Sequence, residues 1–177
     1  MTKRKRVLKS TDRIYEALCT LINENKPYDA ISIQNIVDKA QVCRNSFYRN
    51  YTCKDDIFRK QFEVLCEQSD LYYQQHNDGS FESIVRAIFE ASKAQGNFLK
   101  CFYQANPKVS FEVFTKKIIQ SNTPIPLDKI NPTDYYLYAS KAWLATGLLT
   151  DWMLKDFNED TATLSKQVAD WVTNGLK

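Results

Sequence analysis

Residues that end helices are scarce in this chain, and that scarcity limits its fold more than any other feature. Four glycines and five prolines punctuate 177 residues, and strict alternation of β-branched and polar residues is missing, so long helices are favoured over a sheet. The predicted fold is all-α. With 44% hydrophobic residues the chain can bury one sizeable core, or build a small head on a larger body. The breaks fall at Lys26-Pro27-Tyr28-Asp29-Ala30, at Asn77-Asp78-Gly79-Ser80, at Gly96-Asn97, and across residues 123–132 with Pro124, Pro126 and Pro132. Between them apolar residues recur at helical spacing. A first helix is predicted over 10–25, capped by Ser10 or Thr11, with Ile14, Leu18, Leu21 and Ile22 on one stripe. A long helix follows the capping-box-like Thr52-Cys53-Lys54-Asp55 and reaches residue 75. Further helices are predicted over 81–95, 98–104, 107–121, 133–157 and 160–176.

Between the first helix and the long one, Ser32 to Lys54 forms a separate pattern. Ile33, Ile36, Val37 and Ala40 mark a short apolar helix capped by Ser32, residues 41–43 break it, and a second short helix begins near Arg44. That is a helix-turn-helix in outline. Its second helix mixes Arg44, Asn45, Ser46, Tyr48 and Arg49 with a single inward Phe47, leaving most of its surface for hydrogen-bonding groups such as those lining DNA grooves. Two short surface helices of an ordinary helical protein would show the same periodicity. Charge adds an independent observation: residues 1–60 hold 13 Lys or Arg against 7 Asp or Glu, whereas residues 61–177 hold 11 against 14. A polyanionic partner such as double-stranded DNA would explain that split, although modest basicity is also common on surfaces that bind nothing. The basic arm Lys3-Arg4-Lys5-Arg6 can lie along phosphates or enter a minor groove, or simply be solvated as charged termini usually are.

The order Ile33, Ile36-Val37, Ala40, Val42, then Phe47-Tyr48, Asn50-Tyr51 and Lys54-Asp55-Asp56-Ile57 resembles the signature of the tetracycline-repressor (TetR) family of bacterial transcriptional regulators. The likeness spans roughly residues 10–60; the remainder matches the family's all-helical layout. Two positions depart from the pattern. Gln41 stands where a turn glycine is common, which implies either a left-handed backbone or a different turn. Cys43 stands where Ser or Thr usually caps the next helix, so that cap is weaker or comes from another group. The resemblance implies a three-helix DNA-binding head over 1–53 and a body of about six helices over 54–177 that dimerises through its last two helices. It also implies a repressor that binds an inverted-repeat operator as a homodimer. On these positions, Arg44, Asn45, Ser46 and Arg49 are candidates for base or phosphate contacts, with Cys43 at the helix start. Tyr48, Tyr51 and Lys54 are candidate phosphate contacts, assisted by Ser32 and Gln34.

The helix predicted over 133–157 is apolar on more than one side, which calls for partners on more than one side, and the last helix carries apolar residues at heptad-like spacing. A second copy is the expected partner, through Ala142, Leu148, Leu149, Trp152, Leu164, Val168, Trp171 and Val172, packed as a four-helix bundle. The aromatics Phe89, Phe102, Tyr103, Phe114, Tyr138 and Trp143 suit either a plain core or a pocket for a small apolar ligand, which family members use to change the spacing of their heads.

A lone histidine, His76, supplies neither a hydrolytic triad nor a metal cluster, and no glycine-rich phosphate loop is present. No catalysis and no cofactor are expected. Cys19, Cys43, Cys53, Cys66 and Cys101 contain no Cys-x-x-Cys pair and suit a reducing compartment. No apolar run approaches the ~18 residues that span a bilayer, and a cytoplasmic location is expected. The competing function class is an interaction protein that keeps this fold and acts through a protein partner without specific DNA binding; Gln41 and Cys43 leave it open.

Overall fold

The computed structural model describes residues 9–105, 116, 120 and 126–174. Eight α-helices are delimited among the described residues: α1 Ser10–Asn23, α2 Ile33–Ala40, α3 Arg44–Tyr48, α4 Asp55–His76, α5 Phe81–Ala94, α6 Gly96–Ala105, α7 Pro132–Leu154 and α8 Thr161–Asn174. Short 3₁₀ turns occupy Tyr28–Ala30 and Leu127–Lys129, and no strand occurs among the described residues. The basic arm, Phe114 and most of the helix expected over 107–121 lie outside the described residues.

The chain divides into two compact units, one ending at Glu63 and the other beginning at Val64. The division lies inside α4, later than the expected boundary after residue 53, because the first turns of α4 pack into the head. Ile57 and Phe58 are buried there, and the Phe58 ring lies 5.5 Å from that of Tyr28. In the first unit Ile14, Leu18, Ile36, Phe47 and Ile57 are fully enclosed. Helix α1 starts without a side-chain cap, from Lys9 rather than Ser10 or Thr11. It ends two residues early, where Asn25 takes a left-handed φ of 59° and the Asn25 N–H bonds the Ile22 carbonyl at 2.9 Å.

In the second unit α5 packs along α8, and α6 contacts α7. Gly96 and Asn97 do not separate α5 from α6 as a loop; Gln95 alone does, and α6 begins at Gly96. Glycine is required there by close approach, since a Cβ would come within 2.6 Å of the Phe157 ring. Helix α7 opens with Asn131 as cap and Pro132 in its first turn. It stops at Leu154, short of the predicted residue 157, because Asp156 and Phe157 both turn left-handed. Trp152 locks this corner: its indole N–H donates to the Glu159 carbonyl at 3.1 Å, and its ring meets Phe89 at 5.2 Å and Phe157 at 4.8 Å.

That packing reassigns several expected interface and pocket residues. Leu149, Trp152 and Val168 are 3%, 2% and 1% exposed and belong to the core of the second unit, not to its outer face. Leu148 is exposed, Leu164, Trp171 and Val172 are half-buried, and Ala142 falls within α7. Among the expected pocket residues, Phe89 and Phe102 are core, Phe102 stacking on Phe98 at 5.6 Å. Tyr103 and Tyr138 are half-buried. Trp143 is 61% exposed and lies on the surface.

Candidate nucleic-acid interface

The helix-turn-helix is built from its caps inward. Ser32 Oγ accepts the Asn35 N–H at 3.1 Å while Asn35 Oδ1 accepts the Ser32 N–H at 3.0 Å, a reciprocal box that satisfies two free donors at the start of α2. Ile36, Val37 and Ala40 press α2 onto α1. Gln41 then resolves the alternatives for the turn: it is left-handed, with φ 52° and ψ 47°. Its carbonyl accepts a 2.8 Å hydrogen bond from Arg13 Nη2 on α1, and the Val42 N–H reaches back to the Val37 carbonyl at 3.0 Å. Arg13 thus offsets part of the cost of a left-handed non-glycine residue. Sequence reading missed it, because a side chain donating to a carbonyl 28 positions away leaves no local pattern.

Cys43 occupies the N-cap of α3 but makes no cap bond to the backbone. Its sulfur lies 3.3 Å from Ser46 Oγ, and that hydrogen bond, aided by the charge of Arg49, lowers the pKa of the thiol. Phe47 anchors α3 with none of its surface exposed, its ring 5.5 Å from both Tyr48 and Tyr51. Asn50 Nδ2 bonds the Ser46 carbonyl at 2.8 Å, and Lys60 Nζ bonds the Asn50 carbonyl at 2.6 Å, which closes the helix end.

With α3 so fixed, Arg44, Asn45, Tyr48 and Arg49 are all exposed, as are Cys43, Ser32 and Gln34. The Arg44 guanidinium rests 5.6 Å from the Tyr48 ring centre, and Arg49 Nη2 donates to Ser46 Oγ at 3.0 Å. Gln34 Nε2 donates to Asp38 at 2.7 Å. Three expected contact residues are placed otherwise. Ser46 is buried and holds Arg49. Tyr51 is 4% exposed, its ring facing Phe47 and lying 5.1 Å from Lys60 Nζ, and burial raises its pKa. Lys54 points into the head: Nζ donates to the Tyr28 carbonyl at 2.7 Å and the Ile31 carbonyl at 3.2 Å, 4.2 Å from the Tyr28 ring centre.

Around this lysine, Tyr28 hydrogen-bonds Asp55, and burial together with that carboxylate pushes its phenol far above the ordinary range. Thr52 caps α4 differently from the expected box, donating both its N–H and its hydroxyl to Asp56. Those bonds, with Arg59 beside them, hold the Asp56 carboxyl well below the usual carboxylate range. Lys54→Ala is therefore expected to lower the head's stability by ~1–3 kcal/mol, since two carbonyls lose a charged donor. Chemical denaturation checks this; an unchanged midpoint would return Lys54 to a purely phosphate-facing role.

No family model matches the sequence, and no curated protein matches it. Solved structures do match its fold. FadR from Bacillus halodurans, a fatty acid degradation regulator, is 17% identical with a TM-score of 0.59, covering 98% of this chain and 99% of that one. NalD from Pseudomonas aeruginosa, the secondary repressor of the MexAB-OprM multidrug efflux pump, is 17% identical with a TM-score of 0.60, covering 94% and 95%. SCO3833 from Streptomyces coelicolor A3, a member of the TetR transcriptional regulator family, is 13% identical with a TM-score of 0.51, covering 100% and 95%. Over nearly its whole length, the chain has the fold of TetR-type transcriptional regulators.

Proposed function

We propose that the chain is a DNA-binding transcriptional regulator, acting as a repressor, that binds an inverted-repeat operator as a homodimer through α2 and α3 of each copy. The observation that carries this reading is the outward row Arg44, Asn45, Tyr48 and Arg49 on a short helix pinned from beneath by Phe47. Arg44 suits guanine O6 and N7, and Asn45 suits adenine N6 and N7. Tyr48 and Arg49 suit phosphates, and the exposed Ser32 hydroxyl at the start of α2 gives the backbone a second grip. Two such heads would read half-sites one or more DNA turns apart.

A gel shift against DNA upstream of its own gene, repeated across salt concentrations, tests the reading. Binding should be sequence-specific and weaken steeply with salt. Arg44→Ala should cost ~1–3 kcal/mol of discrimination at one operator position. Binding that ignores sequence would favour instead the interaction protein that acts through a protein partner, whereas an Arg44→Ala variant with unaltered preference and affinity would overturn the assignment of a base contact to Arg44.

The body would carry the signal. FadR from Bacillus subtilis, 16% identical with a TM-score of 0.54 over 94% of this chain and 99% of that one, was solved in complex with stearoyl-CoA. A small apolar ligand of this chain would release DNA by preferring the conformation that binds DNA poorly, so its affinity must fall when operator is present.

A further inference from the structure

At the end of α4 and the start of α5, Tyr72, His76, Asp78, Glu82, Ser83 and Arg86 line a cleft of ≈ 260 Å³. The aromatics expected to line a ligand pocket do not contribute to it, and its lining mixes charged, polar and aromatic side chains. Glu82 and Arg86 stand at i and i+4 on α5, the order in which a helix ion pair forms most readily. They form no ion pair here: among the described residues the ion pairs involve other side chains, and Arg86 Nε is buried with no hydrogen-bond partner. A buried guanidinium nitrogen left unsatisfied is costly, and such a group marks a place for an absent acceptor.

The nearby carboxylates do not fill that place. Asp78 Oδ1 accepts the Ser80 N–H at 2.9 Å as part of its own turn. Glu90 accepts the hydroxyl of Thr161, and Asp160 accepts the Thr163 N–H at 2.9 Å, sensing the charge of Arg86 only at a distance. Asp78 stays ionised within its turn, and Glu82, which makes no ion pair, is the second negative charge on the cleft. No group of His, Cys, Asp and Glu among the described residues could hold a metal ion. One wall is aromatic: the His76 imidazole stacks on Tyr72 with ring centres 4.1 Å apart, and its Nδ1 lies 2.9 Å from the Tyr72 carbonyl.

We propose that this cleft binds a small zwitterion of the amino-acid class, its carboxylate on Arg86 and its ammonium on Glu82. A simple anion would meet Arg86 but also the carboxylate of Glu82; a simple amine would meet Glu82 but also the guanidinium. A molecule carrying both charges satisfies both side chains, and a flat side chain would lie against the Tyr72–His76 wall. The site does not depend on the DNA-binding reading, because occupancy is measured without DNA.

The experiment is calorimetric titration of the full chain with L-phenylalanine and with its two truncated relatives, phenethylamine and 3-phenylpropionate. Phenylalanine should bind, and each relative should bind at least about tenfold more weakly. Arg86→Met should abolish the phenylalanine signal while the circular dichroism spectrum is kept. Glu82→Gln, which leaves Arg86 in place, should narrow the gap between phenylalanine and 3-phenylpropionate. Absence of phenylalanine binding at millimolar concentration, equal binding of 3-phenylpropionate by the wild type, or binding indifferent to both substitutions would each overturn the proposal.

Discussion

Phe47→Ala is expected to unfold the head while leaving the body folded. The side chain is wholly enclosed, and truncating such a phenylalanine costs ~3–5 kcal/mol in transfer and cavity terms. The unit that must absorb this loss ends at Glu63, and a domain of about 60 residues has little stability in reserve. Trp143, Trp152 and Trp171 all lie in the other unit, so two spectroscopic signals separate the outcomes. Circular dichroism should show an early urea transition in the variant, while tryptophan fluorescence keeps its wild-type midpoint. On the proposed function operator binding should vanish as well, because the outward side chains of α3 lose their positions once the helix loses its anchor. Phe47→Leu, which retains most of the volume, should sit between the two. A single transition at the wild-type midpoint would show that Phe47 does not hold the head together.

The contrast between Phe47 and its neighbours shows what a sequence can and cannot reveal. Phe47 is the lone large apolar residue in a polar run, and its inward placement follows from composition alone. Ser32 with Asn35 is likewise a local cap, legible because both partners lie within one turn. Ser46, Tyr51 and Lys54 are different. A helix of five residues is too short for periodicity to assign faces, and residues 49–54 form a turn in which the 3.6-residue rule does not hold. Tyr51 could therefore enter the core and Lys54 could tie down the carbonyls of residues 28 and 31 without leaving a trace in the pattern. The carbonyl of Gln41 is met by Arg13, a side chain 28 positions away that no local pattern announces.

The same limit acts on α7, and it sets up the second large effect. This helix is apolar on more than one side, so spacing alone does not say which residues face their own core. The structure sorts them: Ala145, Leu149, Trp152 and Met153 are buried at positions i, i+4, i+7 and i+8, while Leu137, Leu148 and Leu154 are 54%, 38% and 58% exposed. We expect adjacent substitutions to give opposite results. Leu149→Glu places a charge in the subunit core and should unfold it, a loss of more than ~3 kcal/mol, because the carboxylate finds no partner there. Leu148→Glu should leave each subunit folded, with a melting temperature near that of the wild type. If the outer face of α7 joins two copies, however, the substitution sets like charges against each other across a two-fold contact and converts dimer to monomer. Each monomer would then hold one half-site without the effective concentration that a linked second head provides, so operator affinity should fall by about 10²-fold or more. Analytical ultracentrifugation at micromolar concentration, paired with the gel shift, reads both consequences. A Leu148→Glu protein that still sediments as a dimer would place the contact between copies on another face of the body.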